Sequence, residues 1–243
     1  MSQTTGNARS DEVEARLEVL TTALAMGRSG LSPGLSGNVS RRFGSGMLIT
    51  PSGMAYETLS RDDIVHVGAD GELRPGERRP SSEWRFHLAV YAARHDVGGV
   101  VHTHSMHATV LACARTAIPA FHYMVGVAGG KSIPLVPYAT FGTEELARHV
   151  TKGLRKRNAC LMANHGQIAV GTTCAKALEL ATEVEVLAEQ YWKVLAIGKP
   201  KLLGGEEMAR VLELFKGYGQ NAQSSSVENA AWSAGAKVSR KDD

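Results

Sequence analysis

The sequence predicts a single domain of the α/β class. Segments with the apolar period of a helix alternate with short apolar runs typical of strands, and no change in composition between them marks a linker. The length of 243 residues is compatible with one or two domains, and no internal repeat divides it. We expect the folded domain to lie between a flexible polar start at residues 1–10 and a disordered tail at 220–243.

The N-terminal third is predicted to form a helix followed by strands. Ser10 or Asp11 can cap the helix. A loop rich in Gly, Ser and Pro at residues 30–38 then leads to two short strands within 39–50, and the stretch 68–71 indicates a hairpin. The helix is expected to pack through apolar residues spaced four, three and four apart, which are Val13, Leu17, Leu20 and Leu24.

The rest of the chain is predicted to alternate between helices and strands. Thr143 can cap a helix with two acids in its first turn and three cations in its last, an order that suits the helix dipole. Pro200 is expected to end the longest helix. The expected helices cover residues 83–94, 106–115, 144–157, 175–197 and 206–215. The expected extended segments are 97–104, 133–137, 159–164 and 167–170.

Composition and charge argue against several classes of protein. A net charge of +3, dispersed along the chain, does not indicate a nucleic-acid partner. No run of ~20 apolar residues predicts a membrane span, and no signal peptide is recognised at the start. The chain has three cysteines and no CxxC pair, which argues against a disulfide framework. They are Cys113, Cys160 and Cys174. We therefore expect a cytoplasmic protein.

Two histidines separated by one residue, His102 and His104, form the strongest local signal. They end an apolar run that predicts a buried strand, on which residues i and i+2 face the same side. A third histidine, His165, lies between two short predicted strands. Three imidazoles suit zinc and leave a coordination position for a substrate, and manganese or cobalt could also bind. Hydrogen-bonded structural histidines are the alternative, which spacing alone does not exclude.

Three short loops rich in small hydrogen-bond donors could together bind a phosphate. The serine pair before Glu83 precedes a predicted helix, whose free N–H groups and dipole attract anions. Plain helix capping is the alternative for this pair, and Glu83 could merely compensate the helix dipole. The residues of the three loops are Gly37, Asn38, Ser52, Gly53, Ser81 and Ser82.

Seven stretches of the sequence together resemble the class II aldolase/adducin family, most closely its L-fuculose-1-phosphate aldolases. They follow one another in the family's order, the match covers about residues 11–219, and this combination is highly specific. The resemblance implies a three-layer fold with a central, mainly antiparallel sheet flanked by helices. The stretches are LSGNVS at 35–40, ITPSGMAYETL at 49–59, PSSEWRFHLAVY at 80–91, VVHTHSMHATVLA at 100–112, IPAFHYM at 118–124, AGGKSIPLVPYATFGTEELARHV at 128–150 and NHGQIA at 164–169.

The resemblance also implies a role for each candidate residue. His102, His104 and His165 would hold one divalent metal ion per subunit, and Glu83 would be the catalytic acid/base that also contacts the metal when substrate is absent. Tyr123 would be presented to the aldehyde by the neighbouring subunit of a cyclic homotetramer. The implied phosphate contacts are Asn38, Ser52, Gly53, Ser81 and Ser82 with Gly37 beside them, and the implied aldehyde pocket is Phe141, Phe215 and Tyr218.

The implied reaction is the reversible cleavage of a ketose 1-phosphate to dihydroxyacetone phosphate and a small aldehyde. It needs no lysine Schiff base, so Lys131 is not expected to be a nucleophile. The expected substrates are L-fuculose 1-phosphate or 5-deoxy- or 5-methylthio-ribulose 1-phosphate; Leu35 and Lys131 depart from the usual family residues and leave the aldehyde open. Alternatives within the family are a pentulose-phosphate epimerase and a methylthioribulose-1-phosphate dehydratase. A non-catalytic adducin-like interaction domain is the remaining alternative, and it would not need the three histidines and Glu83.

Overall fold

The computed structural model describes residues 2–217, so Tyr218 and the expected tail at 220–243 lie outside the described part of the chain. The described part contains the six helices that the sequence predicts and seven strands, of which the one at residues 65–67 was indicated only by the hairpin expected at 68–71. The helices are α1 Ser2–Arg28, α2 Trp84–Ala93, α3 Met106–Cys113, α4 Glu144–Leu154, α5 Cys174–Ile197 and α6 Gly205–Lys216. The strands are β1 Asn38–Phe43, β2 Gly46–Ile49, β3 Val65–Val67, β4 Gly99–Thr103, β5 Leu135–Val136, β6 Ala159–Met162 and β7 Gly166–Gly171.

The seven strands form one sheet in the order β3-β2-β1-β4-β7-β6-β5. Every neighbouring pair is antiparallel except β5 and β6, which run parallel. Helices cover both faces of the sheet, with α1, α3 and α5 on one side and α2 and α4 on the other. The predicted fold class, a mainly antiparallel sheet between two layers of helices, is confirmed.

Alternation along the central strand β4 divides its side chains between the two layers. Val101 packs with the helices α1, α3 and α5, whereas Val100 packs with α2 and α4. Successive side chains of a strand point to opposite faces, so His102 shares the α2 face with Val100. There the edge of its ring meets Phe86 of α2, with ring centroids 5.4 Å apart.

The first helix differs from the sequence-based expectation in its start and in its buried face. It begins at Ser2, eight residues before the cap expected at Ser10, and so covers most of the segment expected to be a flexible start. Val13 and Leu17 are 40% and 49% exposed. The sheet-facing stripe contains small residues, which let the helix approach the strands closely, and consists of Ala15, Val19, Ala23 and Met26.

Among residues 2–217, no helix combines the length and apolar character needed to cross a membrane. The last helix, α6, packs through Met208 and Val211 against a buried segment that contains Ala120. A 3₁₀ helix, Tyr123–Ala128, follows that segment and also contacts α6.

Candidate metal and substrate site

The two histidines of the HxH pair lie at the carboxyl end of β4. His102 is fully buried, and its Nδ1–H donates to the carbonyl oxygen of Gln167 on the neighbouring strand β7, at 2.7 Å. This bond places the proton on Nδ1 and leaves the lone pair of Nε2 available as a ligand. The Nε2 atoms of His102 and His104 lie 3.0 Å apart, so both rings point at one position.

A tight turn between β6 and β7 brings His165 to the same position. Asn164 adopts the left-handed conformation in this turn, with φ of 55°, which asparagine tolerates better than most residues. A Cβ at Gly166 would lie 2.4 Å from the carbonyl oxygen of Thr103, so only glycine allows β7 to approach β4 this closely. The ring centroid of His165 is 4.8 Å from that of His102 and 4.9 Å from that of His104.

Glu83 reaches the three histidines from the start of α2. It occupies the N-cap position, immediately before the first helical residue Trp84. Its backbone N–H donates to Oγ of Ser81 at 3.3 Å. Its Oε2 lies 3.1 Å from Nε2 of His102, and its Oε1 lies 3.1 Å from Nε2 of His165. The hydroxyl of Ser81 therefore holds the backbone of Glu83 in place as well as lining the site.

The four side chains fit a divalent metal ion. One ligand atom from each of Glu83, His102, His104 and His165 lies within 4.8 Å of the others. Imidazole ligands at a tetrahedral zinc ion would have nitrogens about 3.3 Å apart, close to the separations found here. The buried Oε1 of Glu83 accepts no hydrogen bond within the described residues, which is unfavourable unless another partner satisfies it.

Electrostatics supports an ionised Glu83 carboxylate and an uncharged His104. Burial raises the pKa of Glu83, but the adjacent rings of His102 and His165 outweigh burial and hold the pKa well below its ordinary value. Burial and the same two rings lower the pKa of His104 to about 4. At neutral pH, His104 is therefore uncharged and can offer a lone pair to a cation.

A cavity of about 320 Å³ opens beside these side chains. The three predicted donor loops meet in it. The loop at 37–38 leads into β1, which pairs with β2, and backbone hydrogen bonds join the segment after β2 to the segment before α2, from Ser81 N–H to Thr50 O and from Ser52 N–H to Arg79 O. No lysine or arginine is among the residues lining the cavity within positions 2–217, so a phosphate here would be bound by neutral groups. The predicted site residues that line the cavity are Gly37, Asn38, Ser52, Gly53, Ser81, Ser82, Glu83, His104, His165 and Phe141.

Leu35 and Tyr138 also line the cavity, although neither was among the predicted site residues. Tyr138 is 51% exposed and Leu35 is 55% exposed, so each leaves an apolar surface at the cavity's rim. The sequence signal for Tyr138 was its place in the same stretch as Phe141. No local pattern singled out Leu35 beyond its departure from the family's usual residue.

Two of the predicted aldehyde-side residues lie elsewhere in the same chain. Tyr123 and Phe215 stack on each other, with ring centroids 6.4 Å apart and 14° between the ring planes. Neither lines the cavity of its own chain within the described residues. Tyr123 is 51% exposed, and Tyr218 lies outside the residues that the structure describes.

Comparison with known proteins gives a consistent result. Residues 17–192 match the family described as class II aldolase and adducin N-terminal domain. The 5-methylthioribulose-1-phosphate/5-deoxyribulose-1-phosphate aldolase of Rhodospirillum rubrum is 56% identical over 194 residues, which cover 80% of this chain and 87% of the relative. The L-fuculose phosphate aldolase of Escherichia coli K12 is 50% identical over 203 residues, covering 83% and 94%.

The fold comparison agrees with these similarities in sequence. A solved structure of an L-fuculose 1-phosphate aldolase superposes with a TM-score of 0.81 and 38% sequence identity. The superposition covers 84% of this chain and 96% of the other. The likeness therefore extends over nearly the whole part of the chain that carries the sheet, the helices and the His/Glu cluster.

Proposed function

The chain belongs to the class II aldolase and adducin family and is an enzyme of the class II aldolase type, and from this premise we propose that it is a metal-dependent ketose-1-phosphate aldolase. It reversibly cleaves its substrate to dihydroxyacetone phosphate and a small aldehyde. The observation that carries the proposal is the meeting of three imidazoles and a carboxylate beside a cavity lined by neutral donors. We assign the catalytic unit to a single domain, residues 11–219.

His102, His104 and His165 would hold the ion, with Glu83 as a further ligand when substrate is absent. A divalent ion bound there supplies a Lewis acid that polarises the substrate carbonyl. Zinc is the preferred ion because three neutral imidazoles and an oxygen are a common zinc ligand set, while manganese and cobalt remain compatible with it. The short separations among the imidazole nitrogens and the Glu83 oxygens support this assignment.

Glu83 serves as the acid/base. In the synthetic direction it takes a proton from the hydroxymethyl carbon of dihydroxyacetone phosphate, and in the cleavage direction it returns one. Glu83 lies at the cavity wall, 7% exposed and shielded from water, where it can reach the substrate. The adjacent histidines lower its pKa, and moving away from them when substrate binds would restore the basicity that proton transfer needs. Its neighbours Ser81 and Ser82, with the loops at 37–38 and 52–53, bind the phosphate through neutral N–H and O–H groups.

Tyr123 acts in the site of the neighbouring subunit, where its hydroxyl donates a proton to the aldehyde oxygen as the carbon–carbon bond forms. Its exposure and its distance from the cavity of its own chain support this arrangement. We propose a cyclic homotetramer with sites between subunits. Exposed apolar side chains on nearby elements, Met106, Val110 and Trp192, are compatible with such an interface.

The aldehyde fragment is small and has an apolar end. Leu35, Tyr138 and Phe141 present apolar surface around the cavity, and Phe215 belongs to the same side in the assembled enzyme. L-fuculose 1-phosphate, 5-deoxyribulose 1-phosphate and 5-methylthioribulose 1-phosphate all meet this description.

We place the enzyme in the cytoplasm. The three cysteines of the protein are all free, which supports a reducing location.

The test is to incubate the zinc-loaded protein with each of these three ketose 1-phosphates. Dihydroxyacetone phosphate is followed through its NADH-dependent reduction. We expect cleavage of at least one of them. Release of no dihydroxyacetone phosphate from any, with metal bound, would contradict the aldolase proposal, and conversion without cleavage would favour the family's epimerase or dehydratase chemistry.

A further inference from the structure

A row of buried hydrogen bonds leads from Glu83 into the interior, away from the cavity. Nδ2 of Asn38 donates to Oε2 of Glu83 at 3.0 Å, and Oδ1 of Asn38 contacts Nε2 of His87. Nδ1 of His87 lies 2.7 Å from Oγ of Ser40, which in turn lies 2.9 Å from the hydroxyl of Tyr91. None of the five residues is more than 7% exposed.

Secondary structure holds the members of this row in place. Asn38 and Ser40 alternate along β1 and so face the same side of the sheet, and Asn38 is directly opposite His102 on β4. Glu83, His87 and Tyr91 follow at intervals of four from the start of α2, which places them on one face of the helix. The helix face and the strand face therefore meet along the whole row.

The charge of Glu83 fixes the direction of each bond in the row. An ionised carboxylate only accepts, so the asparagine atom that faces it must be the NH₂ group. Oδ1 of Asn38 then faces His87, and Nε2 of His87 must carry the hydrogen. Nδ1 of His87 is left as an acceptor, and the hydroxyl of Ser40 donates to it.

His87 is suited to this place because it stays neutral. Complete burial lowers the pKa of His87 to about 3, with a smaller contribution from His102 in the same direction. A neutral imidazole can donate from one nitrogen while it accepts at the other. Its ring also stacks on Phe86, with centroids 4.8 Å apart and 19° between the planes, which fixes the direction of the Nε2–H bond.

We propose that His87 is a positioning residue for catalysis: by donating to Oδ1 of Asn38 it holds the asparagine amide with Nδ2 toward Glu83, and so orients the carboxylate for proton transfer. The proposal rests on the proposed function, in which Glu83 is the acid/base. Without the His87 donor, Oδ1 of Asn38 has lost the contact that anchors it, so the amide can swing away from the position at which Nδ2 meets the carboxylate. Glu83 then loses its hydrogen bond and shifts from its orientation.

The test compares His87→Gln with His87→Asn. The side-chain NH₂ of glutamine can occupy the place of Nε2 and donate to Asn38, whereas that of the shorter asparagine reaches only the place of Nδ1. A third variant, His87→Phe, keeps the ring stacked on Phe86 but has no donor. The readouts are metal content, KM, and kcat for exchange of the hydroxymethyl proton of dihydroxyacetone phosphate with solvent, followed by NMR.

We expect His87→Asn and His87→Phe to lose about 10- to 100-fold in kcat, the usual cost of removing a partner behind an active-site ligand, with metal content and KM near wild type. His87→Gln should recover most of that loss. Wild-type kcat in both His87→Asn and His87→Phe would overturn the proposal, as would an equal loss in all three folded variants, because a packing role does not depend on where the donor lies.

Asn38→Ala tests the same hydrogen bond to Glu83 if the His87 variants do not fold. We expect a lower kcat for proton exchange in Asn38→Ala, because Glu83 loses its hydrogen bond. A higher KM with unchanged kcat would contradict the proposal and leave Asn38 as a phosphate contact only. Glu83→Gln is measured alongside: exchange at the wild-type rate in that variant would refute the proposed function itself, which separates the two failures.

Discussion

The side-chain amide of Asn38 donates to Oε2 of Glu83 across 3.0 Å, although 45 residues separate the two along the chain. Asn38 begins β1, an inner strand of the sheet, and Glu83 immediately precedes α2, so the bond joins the sheet to the helix that covers it. Because both residues also line the cavity, the bond links the proposed phosphate contact directly to the proposed acid/base. A change on either side of the cavity is thus expected to affect the other.

Loss of one ligand should remove the metal. In His104→Ala the remaining imidazoles and Glu83 leave one coordination position unfilled, so we expect metal content near zero and no aldolase activity. The exposed His95 provides the control, because His95→Ala keeps the metal site intact. Metal content equal to wild type in His104→Ala, by atomic emission spectroscopy, would remove His104 from the ligand set.

Chelation should destabilise the wild-type fold. The proposed ligands come from the residue before α2, the end of β4 and the β6–β7 turn, so the unfolded chain does not hold them together. A metal present at a thousand times its Kd contributes about 4 kcal/mol to the free energy of unfolding. We expect EDTA to lower the urea midpoint of wild type but not that of His104→Ala; an equal response in both proteins would argue against the site.

Glu83→Gln should bind metal and lose proton transfer. A glutamine can still fill the space beside the histidines, but it cannot accept the proton of dihydroxyacetone phosphate. We expect exchange of that proton with solvent to fall by about 10² to 10⁴-fold, the usual contribution of a general base. Glu144→Gln, in the exposed first turn of α4, should exchange at the wild-type rate in the same NMR assay.

Mixed oligomers test whether Tyr123 serves a neighbouring site. Tyr123→Phe and Glu83→Gln should each be inactive in cleavage. When the two are unfolded together and refolded as an equal mixture, an active site needs Glu83 from one chain and Tyr123 from the next. Random assembly in a ring then restores about a quarter of wild-type activity. No recovery in mixed oligomers would place Tyr123 and Glu83 in sites of the same chain.

Ser82→Ala should weaken binding of the phosphate rather than the chemistry. Ser82 is exposed at the cavity, next to Glu83, whereas the hydroxyl of Ser81 accepts a hydrogen bond from the backbone of Glu83. Loss of one hydrogen bond to a charged group raises KM by about 10- to 100-fold, with kcat nearly unchanged. Ser45→Ala, in the exposed turn between β1 and β2, is the control. An unchanged KM would remove Ser82 from the phosphate site.

Local sequence patterns were sufficient to predict most of the helices and strands and part of the candidate metal site. All six helices were predicted, α1 and α5 from apolar spacing and α2 and α4 from the residues that precede them, and the period of two along β4 predicted that His102 and His104 share a face. Apolar spacing was insufficient for the buried face of α1, where Val13 and Leu17 were expected inside and are exposed. Two apolar stripes compete on that helix, and only the close fit of its alanines to the sheet decides which one is buried.

The sequence by itself determined the fold class, the family and the chemical types available at the site: imidazoles in an HxH pair, a carboxylate after two serines, and small donor-rich loops. Tertiary structure decided which of these groups meet. Glu83 reaches His102 and His165 because β4 and β7 are neighbours in the sheet and α2 begins beside these two histidines. The same packing buries His87 beside Asn38 and leaves Tyr123 outside the cavity of its own chain. The physical reason is that periodicity records which face of an element is apolar, whereas contacts between distant residues depend on strand order and helix placement, which only the whole packed core determines.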